Sequence, residues 1–225
     1  MTDIAAAAAN ALSNNDKTEE QKMLDGEFYQ AFDSVLLQQR QRAKELCFQY
    51  NRLSPLETEK RHAIIRDLFG KSDDSNANLE NTPDLLPSIW VESPFHVDYG
   101  IHLHVGKNFY ANHGCSILDC NEIRVGDNCL LAPHVCISAA THPVDPTLRA
   151  QGAEYTAPIT IGHNCWIGAN ATICPGITLG NNVVVGAGAV VTKSFKDNVV
   201  IGGVPARVLR EIHEGDKNEM TSPQK

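Results

Sequence analysis

The stretch that decides the fold lies in the second half of the chain: IGHNCWIGANATICPGITLGNNVVVGAGAVVT, residues 161–192. An aliphatic residue followed by a small one recurs in it at a spacing of six, at Ile161, Ile167, Ile173, Leu179, Val185 and Val191. This period is typical of a parallel β-helix, in which each hexapeptide forms one short strand and one turn, and three of them close a triangular coil. The chain is therefore predicted to be mainly β, with these aliphatic side chains stacked inside the coil.

The repeat continues upstream, at Val125, Leu131 and Ile137, and less regularly at Val105 and Ile117. We expect the β-helix to cover residues 89–212, with an inserted loop at 138–158 where the repeat breaks. Loops of that length inside a compact solenoid are usually either functional or disordered, and because this one carries His142, a functional loop is favoured. The segment from Val208 to His213 is predicted to form a short terminal helix that covers the open end of the coil.

The N-terminal part has a helical pattern over residues 18–70. Asp33 and Ser34 are suited to cap a first helix, and Ser54-Pro55 is suited to open a second one. The apolar stripe of the second helix is predicted at Leu56, Ala63, Ile64, Leu68 and Phe69, with Gly70 as its end. Residues 71–88 are interpreted as a linker or surface loop, residues 1–17 as a disordered arm, and residues 213–225 as a loose tail.

Composition excludes several classes of protein. The chain has 225 residues and a formal net charge of −8, with 42% hydrophobic and 6% aromatic residues. The apolar fraction argues against disorder, the absence of a long apolar run argues against a membrane span, and the acidic balance argues against non-specific nucleic-acid binding. Seven cysteines without a CxxC motif indicate buried thiols in a reducing, cytoplasmic location.

Short motifs along residues 22–212 are specific enough to name a family. They are Lys22-Met23-Leu24-Asp25-Gly26-Glu27, Asp98-Tyr99-Gly100, Phe109-Tyr110-Ala111-Asn112, Ile117-Leu118-Asp119, Ala140-Thr141-His142-Pro143-Val144, Pro158-Ile159-Thr160-Ile161-Gly162, Cys165-Trp166-Ile167-Gly168, Pro175-Gly176, Gly186-Ala187-Gly188, Val191-Thr192-Lys193 and Gly203-Val204-Pro205-Ala206-Arg207. On these residues the chain resembles the maltose/galactoside O-acetyltransferases of the hexapeptide-repeat superfamily, which include the nodulation acetyltransferases. The resemblance implies a left-handed β-helix, a homotrimer with active sites between subunits, and acetyl-CoA as acetyl donor without a metal.

His142 is the candidate general base, because acetyl transfer to a hydroxyl of a sugar or glycoside requires a group that accepts the hydroxyl proton. We expect direct attack in a ternary complex. By resemblance, Asp98, Asn112 and Asp119 would bind the acceptor. The acetyl-CoA groove would be lined by Trp166, Ala169, Ala187, Thr192, Lys193, Arg207 and Arg210, of which the three cations suit phosphates. A backbone N–H near Ala169 is suited to an oxyanion.

Two departures from the family pattern concern the acceptor. Cys120 stands where some galactoside-acetylating members carry a second acidic residue, and Ala31, with Asp33 close by, falls near an acceptor-contacting aspartate of that branch. Galactoside specificity therefore does not follow from the resemblance. The acceptor is left open between a sugar and another alcohol.

Two other functions, and a covalent mechanism for the same acetyl transfer, remain open. Four histidines, His102, His104, His113 and His134, raise a metal-dependent enzyme of the γ-carbonic anhydrase type on the same fold. Cys115 or Cys120 would be the nucleophile of a covalent route. A trimer that only binds or scaffolds is the third alternative.

Overall fold

The computed structural model describes residues 17–69 and 88–216. All of the predicted arm except Lys17, the end of the second helix at Gly70, nearly all of the predicted linker and the end of the tail lie outside these ranges. The N-terminal part contains α1 (Glu19–Leu24), β1 (Tyr29–Gln30), α2 (Ser34–Tyr50) and α3 (Thr58–Phe69). Within the described residues, no helix has the length and apolar character needed to cross a membrane.

The first predicted helix cap is confirmed. The Asp33 carboxylate accepts hydrogen bonds from the backbone N–H groups of Val35 and Leu36, at 2.9 and 3.4 Å, and α2 follows directly. A second cap starts α1, where Thr18 and Gln21 form a reciprocal capping box.

The second predicted helix begins later than expected, at Thr58. Ser54 to Glu57 form a turn instead, in which the Glu57 carboxylate accepts the N–H of Ser54 at 3.0 Å. Leu56 is consequently not part of the apolar stripe and is 91% exposed. The buried residues of α3 are Arg61, Ile65, Leu68 and Phe69.

The rest of the chain winds into a parallel β-helix with three flat faces. Face 1 contains β4 (Leu103–Val105), β7 (Ile123–Val125), β12 (Ile159–Ile161) and β15 (Thr178–Leu179). Face 2 contains β2 (Trp90–Val91), β5 (Tyr110–Ala111), β8 (Leu130–Leu131), β13 (Trp166–Ile167), β16 (Val184–Val185) and β18 (Val199–Gly202). Face 3 contains β3 (His96–Val97), β6 (Ser116–Leu118), β9 (Cys136–Ser138), β14 (Thr172–Ile173) and β17 (Val190–Val191). The six parallel strands of face 2 correspond to about six coils.

The predicted repeat positions form the core of this β-helix. All nine aliphatic residues of the two regular runs are buried: Val125, Leu131, Ile137, Ile161, Ile167, Ile173, Leu179, Val185 and Val191. They stack in register from coil to coil, as in the pairs Ile137 with Ile173 and Ile173 with Val191. The prediction of a parallel β-helix built from hexapeptides is confirmed.

The predicted C-terminal helix was wrong. The segment forms a strand, β19 (Arg207–Glu211), which pairs antiparallel with β18 at the end of face 2. Six residues are too few for a helix to be stable on its own, whereas β18 at the end of the sheet offers unpaired backbone groups. The strand therefore takes up the hydrogen bonds that the last coil would leave open.

The corner between faces 1 and 2 repeats regularly. An asparagine with positive φ, between 55° and 58°, occupies the same place in five coils: Asn108, Asn128, Asn164, Asn182 and Asn198. The Nδ2 of each of the first four donates to the Oδ1 of the next asparagine in this series, at 2.7–3.0 Å. We call this row the asparagine ladder.

The corner between faces 3 and 1 is interrupted by the predicted insertion, which we call the inserted hairpin. It contains β10 (Ala140–Thr141), α4 (Pro146–Ala150) and β11 (Ala153–Thr156). β11 pairs antiparallel with β10 on one side and with β1 from the N-terminal part on the other. The insertion is therefore largely ordered structure that brings the N-terminal part against the β-helix.

Candidate active site

Three side chains form a row across the inserted hairpin. Tyr29 pairs with Glu154 between β1 and β11, and the pairing of Thr141 with Tyr155 places His142 next to Glu154 on the other side. The Tyr29 hydroxyl donates to Oε2 of Glu154 at 2.8 Å, and Oε1 of Glu154 lies 3.6 Å from Nε2 of His142. The row runs from the core to the surface, because Tyr29 is 2% exposed and the side chains of Glu154 and His142 are 22% and 57% exposed.

The buried end of this row is apolar. Tyr29 packs in a cluster with Met23, Leu36, Tyr99 and Cys120. Burial, together with the neighbouring Cys120 and Glu154, holds the pKa of Tyr29 far above its usual range. The hydroxyl therefore keeps its proton and acts as a donor to Glu154.

Cys120 belongs to the same apolar cluster as Tyr29, and Asp98 lies beside Cys120. The Cys120 thiol donates to Oδ2 of Asp98 at 3.4 Å. Burial and the Asp98 carboxylate raise the pKa of Cys120, and burial raises the pKa of Cys115. Both thiols are therefore poor nucleophiles, which disfavours a covalent route through either of them.

Asp119 is completely buried at the corner between faces 3 and 1. Its carboxylate accepts the backbone N–H groups of Tyr99 at 2.8 Å, Asp98 at 3.1 Å and His102 at 3.3 Å. Burial raises its pKa to about 7, against the opposing effect of these hydrogen bonds. This arrangement holds the backbone of Asp98, and contact of Asp119 with an acceptor remains a prediction.

The remaining predicted residues lie at two different corners. Ala169 and Ala187 are neighbours on successive coils at the corner between faces 2 and 3, and Asn112 occupies the same corner two coils before Ala169. Trp166 lies on face 2. Thr192 and Lys193 follow β17, at the same corner as the inserted hairpin. Within one chain, His142 and Asp98 therefore lie at a different corner from most of the residues predicted to line the donor groove.

The predicted cations differ in their surroundings. Arg210 is paired with Asp216, with Nη1 and Oδ2 2.6 Å apart. Arg207 donates to the carbonyl of Ala206, and Lys193 lies 5.5 Å from the centroid of the Phe195 ring. Neither of these two has a carboxylate partner among residues 17–69 and 88–216, so both remain available for phosphates.

The four histidines of the metal alternative do not come together. His102 is bonded to the Asp119 carbonyl and His113 to the Ser93 carbonyl, while His104 lies 2.6 Å from the Glu122 carboxylate. In the described part of the chain, no three His, Cys, Asp or Glu side chains are placed to hold one metal ion. The structure gives this alternative no support.

Two residues of the row were not identified from the sequence. Glu154 lies in the inserted loop, and a carboxylate twelve positions from a candidate base is a signal that could have been used. Tyr29 gives no such signal, because it is brought to the site only by the pairing of β1 with β11.

Comparisons with known proteins agree with this architecture. Residues 22–73 match the maltose acetyltransferase hexapeptide capping motif, and residues 158–193 match a hexapeptide repeat of succinyl-transferase. A galactoside O-acetyltransferase of Escherichia coli K12 is 40% identical over 81% of this chain and 84% of its own length. A putative acetyltransferase of Dictyostelium discoideum is 46% identical over 87% of this chain and 95% of its own.

Two solved structures are similar over nearly the whole fold. A maltose O-acetyltransferase from Clostridium difficile 630 has a TM-score of 0.79 and 44% identity, covering 89% of this chain and all of that one. A galactoside acetyltransferase in complex with coenzyme A has a TM-score of 0.76 and 38% identity, covering 88% and 92%. The capping motif, the hexapeptide coils and these relatives together show that the chain belongs to the maltose/galactoside O-acetyltransferase family, a family of acyltransferases.

Proposed function

We propose that the protein transfers an acetyl group from acetyl-CoA to a hydroxyl of a sugar or glycoside, with His142 as the general base. The observation that carries the proposal is the pairing of His142 with Glu154 on the inserted hairpin, beside Asp98 and Cys120. A carboxylate beside the imidazole is placed to hold the ring in one orientation while it accepts the hydroxyl proton.

The donor is proposed to be acetyl-CoA, which supplies the acetyl group as a thioester. The backbone at Ala187 and Gly188 is exposed, and a Cβ added to Gly188 would meet no atom within 4 Å, so a ligand has room to approach the backbone there. The N–H of Ala169 has no hydrogen-bond partner within the described residues, so it is free to donate to the thioester oxygen. Lys193 and Arg207 are suited to the phosphates, as is Arg210 if it leaves Asp216.

We further propose a homotrimer with its active sites between subunits. The outward side of face 2 is an apolar row, in register, of Trp90, Tyr110, Leu130, Trp166 and Val184. The corresponding row of face 1 is polar and consists of the buried His104 followed by Arg124, Thr160 and Thr178. Packing of face 2 against a second copy would cover that row. It would also bring Asn112 and Ala169 of one subunit toward His142 of another.

The residues predicted to lie near the acceptor also fit an alcohol other than a galactoside. Ala31 is buried and its carbonyl accepts from Arg40, so it offers no side chain to an acceptor. Asp33 caps α2 and does not replace the missing carboxylate. The proposal places the protein in a reducing compartment such as the cytoplasm, supported by seven cysteines that are all free.

The test is acetyl transfer by purified His142→Ala protein, measured as CoA release with a panel of sugars, glycosides and non-sugar alcohols. We expect a loss of about 10²–10⁴-fold in kcat on the best acceptor, with the thermal midpoint unchanged. The control is His163→Asn, which changes a histidine at the opposite corner and should retain wild-type activity. Unchanged kcat in His142→Ala would remove the histidine from the mechanism, and no CoA release with any acceptor would reject the proposed reaction.

A further inference from the structure

The row Tyr29–Glu154–His142 links the N-terminal capping region to the candidate base. Its members come from β1, from β11 and from the end of β10, which are three strands of one antiparallel sheet. Directly opposed residues in such a sheet place their side chains side by side on the same face. The contact of the three side chains is thus a consequence of strand register and depends on β1 being in place.

The Glu154 carboxylate has two oxygens with different partners. Oε2 accepts the Tyr29 hydroxyl at 2.8 Å, and Oε1 faces Nε2 of His142 at 3.6 Å. A carboxylate attached to a flexible side chain would otherwise rotate freely, since Glu154 is partly exposed. The hydroxyl is the donor that selects one orientation, and it is itself fixed because the Tyr29 ring is enclosed in the apolar cluster.

The geometry points to Tyr29 as a positioning residue for the general base, acting through Glu154 to keep one carboxylate oxygen directed at His142. This inference rests on the proposed role of His142. It gives the capping region a part in catalysis in addition to covering the β-helix, because the hydroxyl that orients the carboxylate lies outside the hexapeptide coils.

Other titratable groups face this row and would influence the same pH profile. They are Cys120 and Tyr99, which neighbour Tyr29, together with Asp98 and Asp119 beside Cys120 and Arg40 beside Tyr99. A substitution that leaves all of them unchanged is therefore needed. Tyr29→Phe meets this condition, because it removes one oxygen and keeps the ring in the cluster.

The experiment measures kcat, the acetyl-CoA KM and the pH profile of kcat/KM for Tyr29→Phe, Glu154→Gln and the double variant. We expect Tyr29→Phe to lower kcat about tenfold with the acetyl-CoA KM unchanged. Its pH profile should differ from that of the wild type, because the carboxylate that faces His142 is no longer held in one orientation. The double variant should be no slower than Glu154→Gln alone, since Tyr29 acts only through Glu154.

The matched control is Tyr50→Phe. Tyr50 is also buried, and its hydroxyl donates to the Val91 carbonyl at 2.6 Å, away from the inserted hairpin. This variant should lose stability and keep the wild-type pH profile. A wild-type kcat and profile in folded Tyr29→Phe, or additive losses in the double variant, would overturn the inference.

Two further results separate the inference from the proposed function. If Tyr29→Phe does not fold, the inference is tested with Glu154→Gln. A wild-type pH profile in Glu154→Gln would overturn it, because Tyr29 is proposed to act only through the Glu154 carboxylate. If His142→Ala keeps wild-type kcat, the proposed function itself fails. Inactive His142→Ala with an unaffected Tyr29→Phe would reject only the role of Tyr29.

Discussion

Two corners of the same β-helix are built in opposite ways. At the corner between faces 1 and 2, the asparagine ladder repeats one residue and one hydrogen bond from coil to coil. At the corner between faces 3 and 1, the repeat is broken by the inserted hairpin, and the polar groups differ in every coil. Asp98, Asp119 and His142 all belong to this second corner.

The difference concerns how much hydrogen-bonding capacity each corner has left for a ligand. In the ladder, the side chains of Asn128, Asn164 and Asn182 each donate to one neighbour and accept from another, so they stabilise the fold and have little capacity left for a ligand. At the interrupted corner, polar groups are held by non-local contacts: Asn121 donates to the carbonyls of Met23 and Leu24 and to the Thr156 hydroxyl. We therefore expect changes at the ladder to affect stability, and changes at the interrupted corner to affect activity or pH dependence.

The largest effect is expected at Asp119 of the interrupted corner, as a change in the pH dependence of stability. Burial raises its folded-state pKa to about 7, above the ordinary value of 3.8 for an aspartate. Between pH 3.8 and pH 7 the folded state therefore binds up to one proton more than the unfolded state. Its contribution to stability is fully present below pH 3.8 and is lost as pH rises to 7, by at most about 1.4 kcal/mol per pH unit.

Asp119→Asn removes this titration. The free energy of unfolding of the wild type, relative to the variant, should fall between pH 4 and pH 7 and then level off. Urea unfolding at four pH values within and above this range measures it. A wild-type-minus-variant difference that stays constant with pH would show that Asp119 does not titrate in this range.

A smaller effect is expected in the middle of the ladder. Asn164→Ala removes two side-chain hydrogen bonds. It also places at φ 57° an alanine, which adopts positive φ less readily than asparagine. Together these changes should lower the free energy of unfolding by about 2 kcal/mol. Asn164→Gly should cost less, because glycine adopts positive φ freely. Both are measured by urea unfolding, and acetyl transfer should be unaffected.

Asn170→Ala is the matched control for the ladder. Asn170 has φ 58° at another corner and is not part of the ladder, so its replacement changes only the backbone cost. A loss as large as that of Asn164→Ala would mean that the side-chain bonds contribute nothing. A loss of acetyl transfer in folded Asn164→Ala would contradict the division between the two corners.

The regular part of the molecule could be predicted from the sequence because each hexapeptide repeats its own local signal. The spacing alone predicts that the six aliphatic residues of the run from Ile161 to Val191 lie in the interior, and all six are buried. The break in the repeat also singled out the inserted loop that carries His142. Nothing local distinguished β19 from a helix, because its strand conformation depends on the open edge of β18.

The non-local part of the site could not be derived in this way. Tyr29 and Glu154 are 125 positions apart, and their hydrogen bond exists only because β1 and β11 pair. The local pattern of a single sequence predicts where strands form, but it does not predict which strands pair with each other. For the same reason, the separation of Asn112 from His142 within one chain appears only after the coils are closed.

The smallest effect is expected next to the ladder, at His163. Its Nδ1 accepts the N–H of Asp127 at 2.9 Å, which requires the imidazole to be neutral with its proton on Nε2. The next coil has Asn181 in the same place, where Oδ1 accepts the N–H of His163 at 2.8 Å. His163→Asn should therefore preserve the hydrogen bond and change the free energy of unfolding at pH 8 by less than about 0.5 kcal/mol.

Urea unfolding of both proteins at pH 8 measures this difference. A loss of about 1 kcal/mol or more in His163→Asn would mean that the asparagine does not replace the hydrogen bond that Nδ1 accepts from the N–H of Asp127.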